Sequence, residues 1–550
     1  MVNTYEKRNK TNNTLGFMTI PASPIPTPRA ELLSRLAQPK HYDLAVVGGG
    51  ATGLGVALDA AARGLRVVLL ESHDFAKGSS SRATKLVHGG VRYLAQGNIG
   101  LVREALHERT ILLGNAPNLA QALPFVIPFY HWWEAPFYGL GLKLYDALAG
   151  AAGLGKTEFL SREQTLRLLP TAQRAGLKGG VQYWDGQFDD ARLALALART
   201  AAGLGALLLN YCRVTDLVHT AGKVSGLRCQ DTQTGQAFEI SAACVVNAAG
   251  VWVDELRQRD GDLHGAAGAT AALVAPSQGV HLVVERSFLP ADVGLMVPKT
   301  ADGRVLFVVP WLGRLILGTT DTPRSDLARE PLPFRQEIDF ILKESARYLA
   351  RGPTRADVKS VWVGLRPLVK PADDSGTNTK GLSREHTVLL SRSGLVTVTG
   401  GKWTTYRAMA EDVLRVCAAA ELIPLRPQGL TAQLPLVGAQ SGSLGAHPVS
   451  ALPGMPTYGD EQALLMSLPG AGEGLGGGLT EAMVRFAARY EYALTVEDVL
   501  ARRARLLFLD SVLAASLAAR VADILRQETG QDPKTDEFIE LAQQYRCPLI

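Results

Sequence analysis

The stretch that decides the fold is Asp43-Leu44-Ala45-Val46-Val47-Gly48-Gly49-Gly50-Ala51-Thr52-Gly53. Its apolar half predicts a buried parallel strand, and its second half places Gly48, Gly50 and Gly53 in the spacing G-x-G-x-x-G. In such a junction the first glycine permits a tight turn, the second lets the backbone approach a pyrophosphate, and the third lets helix and strand pack closely. The next helix would direct unpaired N–H groups at the same anion. The stretch therefore predicts a dinucleotide-binding unit.

A second strand is predicted at 66–70, and Glu71 follows it directly. An acidic residue at this place hydrogen-bonds a ribose hydroxyl in dinucleotide-binding folds. A carboxylate there would repel a 2′-phosphate, so the sequence disfavours NADP. A glycine motif by itself is weak, and the strand, the helix and the acid around it are what support the interpretation.

Length and composition indicate a multidomain enzyme of ordinary polarity. The chain has 550 residues, too many for one compact core, with 47% hydrophobic and 20% charged residues. The net charge of +5 is compatible with an anionic substrate or membrane surface without requiring either. The five cysteines form no C-x-x-C pair, so neither a zinc site nor a disulfide framework is expected and a reducing compartment fits. No basic stripe interleaved with aromatic residues is present, which argues against nucleic-acid binding.

The N-terminal region and the segment 117–155 bear on membrane contact. Residues 1 to about 30 are polar and then proline-rich, which predicts a disordered tail, and a short leader helix is expected at 29–37. No apolar run is long enough for a spanning helix. Aromatic residues and prolines cluster at 124–133, and an apolar helix is predicted at 137–152. These segments form either a core strand with a packed helix or a surface that enters a membrane interface, where Trp and Tyr are favoured.

Three further segments place glycine or hydroxyl groups near the predicted dinucleotide. The serine-rich loop 77–85 leads into Gly89-Gly90. By itself this is a loop and a turn, but consecutive hydroxyls beside such a fold can also hold a second phosphate. Short strands are predicted at 206–209, 212–214, 223–228 and 237–240, and a separate strand from residue 244 enters a turn at Gly250. A second strand–glycine–helix junction stands at Gly400-Gly401.

Four motifs in this order carry a family resemblance. They are the glycine-rich unit, Lys85-Leu86-Val87-His88-Gly89-Gly90-Val91-Arg92-Tyr93-Leu94, Gly364-Leu365-Arg366-Pro367-Leu368 and Gly400-Gly401-Lys402-Trp403-Thr404-Thr405-Tyr406-Arg407. Together they resemble the FAD-dependent, aerobic respiratory glycerol-3-phosphate dehydrogenases, from about residue 41 into the C-terminal region. Leu54 departs from the pattern, because the family usually has a small residue there.

The resemblance implies an α/β fold, in which a Rossmann-like FAD-binding domain of the two-dinucleotide-binding (DAO) type carries an inserted antiparallel-sheet substrate domain and a C-terminal helical cap. The expected divisions are a tail and leader helix at 1–40, an FAD-binding domain at 41–108, 185–271 and 375–423, a substrate domain at 109–184 and 272–374, a linker at 424–459 and a helical domain at 460–550.

The activity implied by the resemblance is oxidation of sn-glycerol 3-phosphate at C2 to dihydroxyacetone phosphate. Hydride would pass to flavin N5 and the electrons to a membrane quinone. The family also implies a homodimer that is cytoplasmic and peripherally associated with the cytoplasmic membrane.

The resemblance also assigns candidate site residues. The catalytic set is His281, Arg366 and Lys402, and the substrate-binding set is Arg92, Tyr93 and Arg384. The cofactor-binding set is Gly48, Gly50, Gly53, Glu71, Ser80, Ser81, Lys85, Leu86, His88, Gly250, Gly400, Gly401 and Thr404. No metal site is expected.

The chemistry of the substrate agrees with this set. A small dianion needs several fixed cations, and arginine offers bidentate phosphate contacts whereas lysine offers a point charge. Which of these cations holds the phosphate and which polarises the C2 oxygen stays open. Oxidation of the alcohol also releases the hydroxyl proton, and a histidine is the usual base. His281 is the first candidate, and His88 is the second.

Two other oxidoreductases remain as alternatives. A glycerol-3-phosphate oxidase would use the same fold and substrate but pass electrons to O₂. An amine or amino-acid oxidase would require one carboxylate-binding arginine instead of a cationic cluster.

Overall fold

The computed structural model describes residues 23–90, 98–262, 271–370, 385–439 and 447–548. Its strands are β1 His41–Val47, β2 Val67–Leu70, β3 Leu86–Val87, β4 Ala120–Phe129, β5 Glu158–Ser161, β6 Gly179–Phe188, β7 Leu207–Leu209, β8 Cys212–Thr220, β9 Lys223–Asp231, β10 Ala237–Asn247, β11 Val274–Glu285, β12 Gly294–Val297, β13 Leu306–Trp311, β14 Arg314–Gly318, β15 Thr322–Pro323, β16 Ser360–Val369, β17 His386–Leu390, β18 Val396–Gly400, β19 Gly474–Gly476 and β20 Leu479–Thr480.

The α-helices of the same residues are α1 Arg29–Ala37, α2 Ala51–Ala62, α3 Ile99–Asn115, α4 Glu134–Ala149, α5 Arg162–Leu168, α6 Asp190–Gly203, α7 Val253–Asp262, α8 Arg335–Ala346, α9 Tyr406–Ala419, α10 Gln462–Ser467, α11 Glu481–Tyr490, α12 Leu506–Leu509, α13 Ser511–Thr529 and α14 Thr535–Gln544.

The first sheet places the glycine-rich turn at its centre. The strand order is β17-β18-β10-β1-β2-β7, and β9 and β8 continue antiparallel from β10. β1 pairs in parallel with both β2 and β10, so the ends of these three strands meet at one edge. Val47, the last residue of β1, is in register with Leu70 and Asn247. Because α2 packs against α6 and α9, its small residues lie in the main core of the molecule.

The second sheet is larger and mostly antiparallel. Its order is β15-β11-β14-β13-β12-β4-β6-β3, with β16 on β11 and β5 on β6. β4 and β12 are the parallel pair within it. β11 and β16 pair over ten residues, which brings His281 opposite Trp362 and Ser277 opposite Arg366.

The C-terminal helices form a separate apolar cluster that includes Trp311 and Trp362 of the second sheet. Buried ion pairs connect these helices to the first sheet. Asp74 accepts bonds from Arg502 and Arg503, and Arg505 bonds Asp190 at 2.8 Å. A buried charge keeps its place only when it is paired, so these pairs fix how the C-terminal helices sit on the rest of the chain.

Several predicted elements differ from the structure. The two strands predicted at 237–240 and from 244 are one continuous strand, β10, because it pairs with β9 at its start and with β1 at its end. The apolar helix starts at Glu134 instead of Phe137, because the Glu134 carboxylate accepts bonds from the backbone N–H groups of Tyr130 and His131. The leader helix predicted at 29–37 is present as α1 Arg29–Ala37, and just before it the Thr27 N–H donates to the Arg489 carbonyl at 2.8 Å. Within the described ranges, no helix combines the length and the apolar character that a membrane crossing requires.

Candidate active site

The first cavity, of about 240 Å³, opens at the ends of β1, β2 and β10. Its walls come from the glycine-rich turn, the serine loop, and the turns after β10 and β18. Of the predicted cofactor residues, it is lined by Gly48, Gly50, Glu71, Ser80, Gly250, Gly400 and Gly401. Parts of the chain that are distant in sequence therefore line one space, and the predicted residues among them contribute glycine main chain, a serine and a carboxylate.

The glycines of the motif are explained by close contacts. Gly48 has φ +110°, and a Cβ there would lie 2.6 Å from the Ala248 carbonyl oxygen. A Cβ on Gly53 would lie 1.9 Å from the Gly48 oxygen, so Gly53 is a packing residue that does not line the cavity. Gly50 borders the cavity, and a Cβ there would lie 3.0 Å from Ser80 Oγ. The absent side chains leave a cradle of backbone suited to a pyrophosphate.

Glu71 lies at the end of β2 and holds the glycine turn. Its carboxylate accepts from the Gly49 N–H at 2.7 Å and from the His73 N–H at 2.9 Å. The side chain also borders the first cavity. The carboxylate thus stabilises the turn and stands where a ribose hydroxyl would be recognised.

Ser80 joins the two glycine-rich turns. Its hydroxyl accepts from the Ala51 N–H at 2.9 Å, at the start of α2, and its carbonyl accepts from Trp403 Nε1 at 2.9 Å. Ser81, in contrast, is buried outside both cavities, and its carbonyl accepts from Lys85 at 2.7 Å and Arg505 at 2.9 Å. Ser80 borders the cofactor space, whereas Ser81 supports the loop from behind.

The turns after β10 and β18 face the same cavity. Gly250, Gly400 and Gly401 have φ values of +62°, +83° and +73°, which side chains rarely adopt. Thr399 Oγ1 donates to the Gly250 carbonyl at 3.1 Å and so ties the two turns together.

Trp252 and Arg329 are among the residues at the first cavity that had no predicted role. The guanidinium carbon of Arg329 lies 3.7 Å from the centroid of a Trp252 ring. Trp252 follows the predicted turn at Gly250, so its position was within reach of the sequence. Arg329 comes from a loop of the second sheet, and no local pattern indicated it.

A second cavity, of about 350 Å³, adjoins the first. The two cavities share a wall made by Ser79, Pro367, Gly401, Lys402 and Trp403. The predicted residues that line the second cavity are Leu86, His88, His281, Arg366, Gly401, Lys402 and Thr404. All three predicted catalytic residues therefore lie around one space.

His281 is held by two contacts. Its ring stacks on Trp362 with 4.1 Å between centroids, and Nε2 lies 2.9 Å from Thr84 Oγ1. Nδ1 is buried and has no hydrogen-bond partner among the described residues. Burial first, and then the positive charges of Lys85 and Arg366, hold the pKa of His281 well below its ordinary value. The imidazole is therefore neutral near pH 7 and able to accept a proton.

Arg366 reaches the same cavity from β16. Its guanidinium donates to the Thr320 carbonyl at 2.9 Å and to Thr319 Oγ1 at 3.2 Å, and it lies 3.3 Å from an Asp321 oxygen. Gly279 makes room for it, because a Cβ there would lie 2.3 Å from Arg366 Nη2. The cation is thus fixed in direction before any ligand arrives.

Thr404 and His88 connect the shared wall to the loop after β3. Thr404 Oγ1 accepts from the His88 N–H at 3.3 Å. The next residue, Gly89, donates its N–H to Tyr145 of α4 at 2.8 Å, and Tyr145 in turn donates to Asp185 at 3.0 Å. The loop is therefore anchored on both sides before it enters 91–97.

Lys85 lies outside both cavities, in contrast to its predicted cofactor role. Its side chain is fully buried, and Nζ donates to Asp190 at 2.7 Å. The motif around it borders the second cavity, but the positive φ of 64° at Lys85 turns its side chain into the core. The predicted substrate residues Arg92, Tyr93 and Arg384 lie outside the described residues.

The arrangement suits FAD. A cradle of glycine backbone, a helix start and an acid at the end of β2 form one cavity, and a second cavity with a histidine and cations shares its wall. The fold and the site are those of an FAD-dependent oxidoreductase, and residues 43–407 match the family model for such enzymes. Residues 430–536 match the C-terminal domain of alpha-glycerophosphate oxidase.

Individual relatives narrow the class. Mitochondrial glycerol-3-phosphate dehydrogenases of Bos taurus and Arabidopsis thaliana are 40% and 41% identical, over 94% and 90% of this chain and 75% and 86% of theirs. The chain belongs to the FAD-dependent glycerol-3-phosphate dehydrogenase family, and its cofactor is FAD.

Solved structures agree with the assignment. The glycerol-3-phosphate dehydrogenase of Bacillus halodurans, complexed with FAD, superposes with a TM-score of 0.74 at 28% identity, over 95% of this chain and 98% of that one. The L-alpha-glycerophosphate oxidase of Mycoplasma pneumoniae gives a TM-score of 0.54 at 17% identity, over 72% and 99%, a likeness of fold alone. The predicted fold class is thereby confirmed.

Proposed function

We propose that this enzyme oxidises sn-glycerol 3-phosphate at C2 to dihydroxyacetone phosphate and passes the electrons to a membrane quinone. The observation that carries the proposal is the second cavity, where His281 and the oriented Arg366 line a space whose wall, shared with the glycine-lined cavity, contains Lys402. A small phosphorylated alcohol offers a dianion to the cations and a hydroxyl proton to the base.

Binding of the phosphate falls to the cationic side of the cavity. Arg366 is oriented by the Thr319 hydroxyl and the Thr320 carbonyl, so its remaining donors are directed before substrate arrives. Lys402 stands in the wall between the two cavities. Charge-assisted bonds from such groups favour a phosphorylated substrate over glycerol.

The base of the reaction is His281. Bound FAD supplies the acceptor for the C2 hydride at flavin N5. His281 takes the hydroxyl proton, with its ring fixed by Trp362 and its Nε2 2.9 Å from Thr84 Oγ1, which also borders the second cavity. Because burial keeps the imidazole neutral, the base is ready at neutral pH.

The first test is the spectrum of the purified enzyme. The yellow flavin should be bleached by glycerol 3-phosphate and not by glycerol at the same concentration. His281→Gln should keep its FAD and lose bleaching rate by about 100-fold or more, the usual contribution of a positioned base. Equal bleaching by glycerol and its phosphate would remove the cationic-site argument.

Contact with a membrane is proposed on the outer face of α4. Trp132, Trp133, Phe137, Leu140 and Leu144 have between 49% and 76% of their surface exposed. From Trp133 onward they recur at helical spacing and form one apolar face. Lys178 and Lys143 lie beside this face, over the rings of Trp132 and Phe159. An apolar face bordered by lysines is suited to the interface of an anionic membrane.

The same helix adjoins the second cavity. On its inner side Leu142 packs in one apolar cluster with Phe125 and Tyr183, which line that cavity. A membrane-bound acceptor would therefore be brought near the substrate site, which supports a quinone as the oxidant of the reduced enzyme.

Co-sedimentation with liposomes of varied anionic lipid content tests this surface. Replacing Trp132 and Trp133 by Ser should weaken binding and quinone reduction together, while activity with a soluble dye remains. Leu425→Ser is the control, because Leu425 is 81% exposed and lies elsewhere. Wild-type enzyme that ignores liposomes and reoxidises rapidly in air would instead be an oxidase.

The homodimer expected from the family is tested by size-exclusion chromatography with light scattering, which measures the mass of the particle in solution.

A further inference from the structure

Lys85 is a buried cation that the reaction described above does not use. Its side chain has no exposed surface, and Nζ donates to Asp190 and to the Ser81 carbonyl, both at 2.7 Å. Asp190 also accepts from Arg505 at 2.8 Å. A buried lysine is costly unless it is paired in this way, so the sequence maintains an expensive group at this position.

The ammonium of Lys85 stands against Trp362. Nζ lies 4.5 Å from the centroid of the indole, and the His281 ring stacks on the same indole at 4.1 Å. Trp362 therefore contacts both the Lys85 ammonium and the His281 ring. Trp311 and Phe508 complete the aromatic surroundings of Nζ, at 5.1 and 5.5 Å. Attraction between a cation and aromatic faces holds the indole in place.

We propose that Lys85 is a positioning residue for the oxidation: it fixes the indole on which His281 stacks, and it holds a positive charge beside that indole. The inference rests on the proposed role of His281 as base. Lys85 touches neither cavity, so its effect passes through Trp362 and through the electric field.

The charges around His281 agree with this role. The charged groups paired around the Lys85 ammonium are Asp189, Asp190 and Arg505. On the cavity side the titratable and charged groups are Arg82, His88, Tyr183, Asp185, Arg304, Asp321, Arg366 and Lys402. Among them, Lys85 and Arg366 are the charges that lower the pKa of His281, after burial. Arg366 is partly balanced by Asp321 at 3.3 Å.

Lys85 is positively charged in the pH range in which an ordinary histidine becomes protonated. Burial lowers the pKa of Lys85 to about 7, against the opposing effect of Asp190. Below neutrality Lys85 therefore carries its proton, and this is the range in which an ordinary histidine would become protonated and cease to act as a base. The repulsion from Lys85 is therefore present in the pH range in which His281 would otherwise become protonated and cease to act as a base.

The experiment measures kcat against pH at saturating glycerol 3-phosphate with a soluble dye acceptor, because kcat does not include titration of the free substrate's phosphate. On the acid side of the profile activity falls as the base becomes protonated, and the midpoint of that fall is called the acid limb. In the wild type the acid limb should lie below pH 6.5, the ordinary pKa of histidine. Lys85→Met removes the repelling charge, which raises the pKa of His281, so the acid limb should move to higher pH by about one unit. KM at high pH should stay unchanged, and Lys85→Arg should restore the limb. Lys359→Met, at a half-exposed lysine, is the control.

A wild-type limb at or above pH 6.5 overturns the inference and needs no variant. An unmoved limb in a Lys85→Met enzyme that holds its FAD overturns it as well. If the single variant does not fold, Lys85→Met with Asp190→Asn removes both charges of the pair and should shift the limb in the same direction.

His281→Gln separates the role of His281 from the role of Lys85. If this variant retains wild-type kcat, the proposed base is wrong. If it is inactive and the Lys85 variants do not shift the limb, only the role of Lys85 fails.

Discussion

The two adjoining cavities depend on parts of the chain at different sequence separations. The first is centred on one local junction from β1 to α2, whose glycine backbone forms the cradle, although charged side chains such as Arg213 and Arg329 also line it. The functional side chains of the second come from β11, from β16, and from the segments that follow the short helical turn at 79–81 and strand β18. A dinucleotide can be cradled by backbone because its pyrophosphate needs N–H groups, whereas a small alcohol must be discriminated by side chains.

Strand register decides the second cavity. His281 faces Trp362, and Ser277 faces Arg366, through the antiparallel pairing of β11 with β16. Because side chains alternate between faces, a slip of one residue in one strand would move its functional groups to the other side of the sheet. The first cavity depends on close backbone contacts, and the second depends on pairing between residues that are about 85 positions apart.

The largest effect is expected at the packing glycine of the first cavity. Gly53→Ala would place a Cβ 1.9 Å from the Gly48 oxygen. The backbone must move, so we expect a loss of about 3 kcal/mol or more in stability, at the upper end of overpacking. Thermal unfolding and flavin absorbance measure it. Gly114→Ala in α3 meets nothing within 4 Å and should be neutral or stabilising. Full flavin content and unchanged stability in Gly53→Ala would contradict this account of the turn.

The second cavity should respond in catalysis instead of flavin content. Arg366→Ala should lower kcat/KM for glycerol 3-phosphate by about 2–4 kcal/mol in transition-state terms, because charge-assisted bonds in a partly dry site are lost. Lys402→Ala should act in the same direction. Arg228→Ala, which removes an exposed ion pair with Glu239, is the control. An equal proportional loss with glycerol as substrate would show that the cations do not recognise phosphate.

A smaller effect is expected at Gly279, which gives Arg366 its space. Gly279→Ala places a Cβ 2.3 Å from Arg366 Nη2, and the flexible end of the side chain can move away. We expect KM for glycerol 3-phosphate to rise by about tenfold, or about 1.4 kcal/mol, with little change in flavin content. Steady-state kinetics measure KM, and absorbance measures the flavin content. If the flavin content falls while KM rises, the two cavities are not as independent as their construction indicates.

The smallest effect is expected at Ser80. Ser80→Ala removes the acceptor of the Ala51 N–H, which a bound phosphate or water can replace. We expect FAD affinity to fall by about 1 kcal/mol, roughly fivefold, the usual net worth of one such bond. Equilibrium titration of the apoenzyme measures it, with Ser516→Ala on the exposed side of α13 as control. A complete loss of FAD would mean that Ser80 contacts the cofactor more closely than its bond to α2 indicates.

The sequence by itself predicted a dinucleotide-binding unit, and four motifs in order added the resemblance that gave FAD and the family. The G-x-G-x-x-G spacing, Glu71 and the turn at Gly400-Gly401 each follow from what backbone can do locally, so short windows of residues were sufficient for the unit itself. His281, Arg366 and Lys402 were named from motifs, but no motif contained the distances between them.

Only the tertiary structure decided which members of a motif face a ligand. Lys85 and Leu86 are adjacent, yet Leu86 borders the second cavity while Lys85 turns into the core to meet Asp190. Trp362, which stacks on His281, and Arg329, which lies over Trp252, were likewise found only through packing. The physical reason is that a local pattern specifies backbone conformation, whereas the direction and neighbours of a long side chain depend on elements that fold onto it from far along the chain.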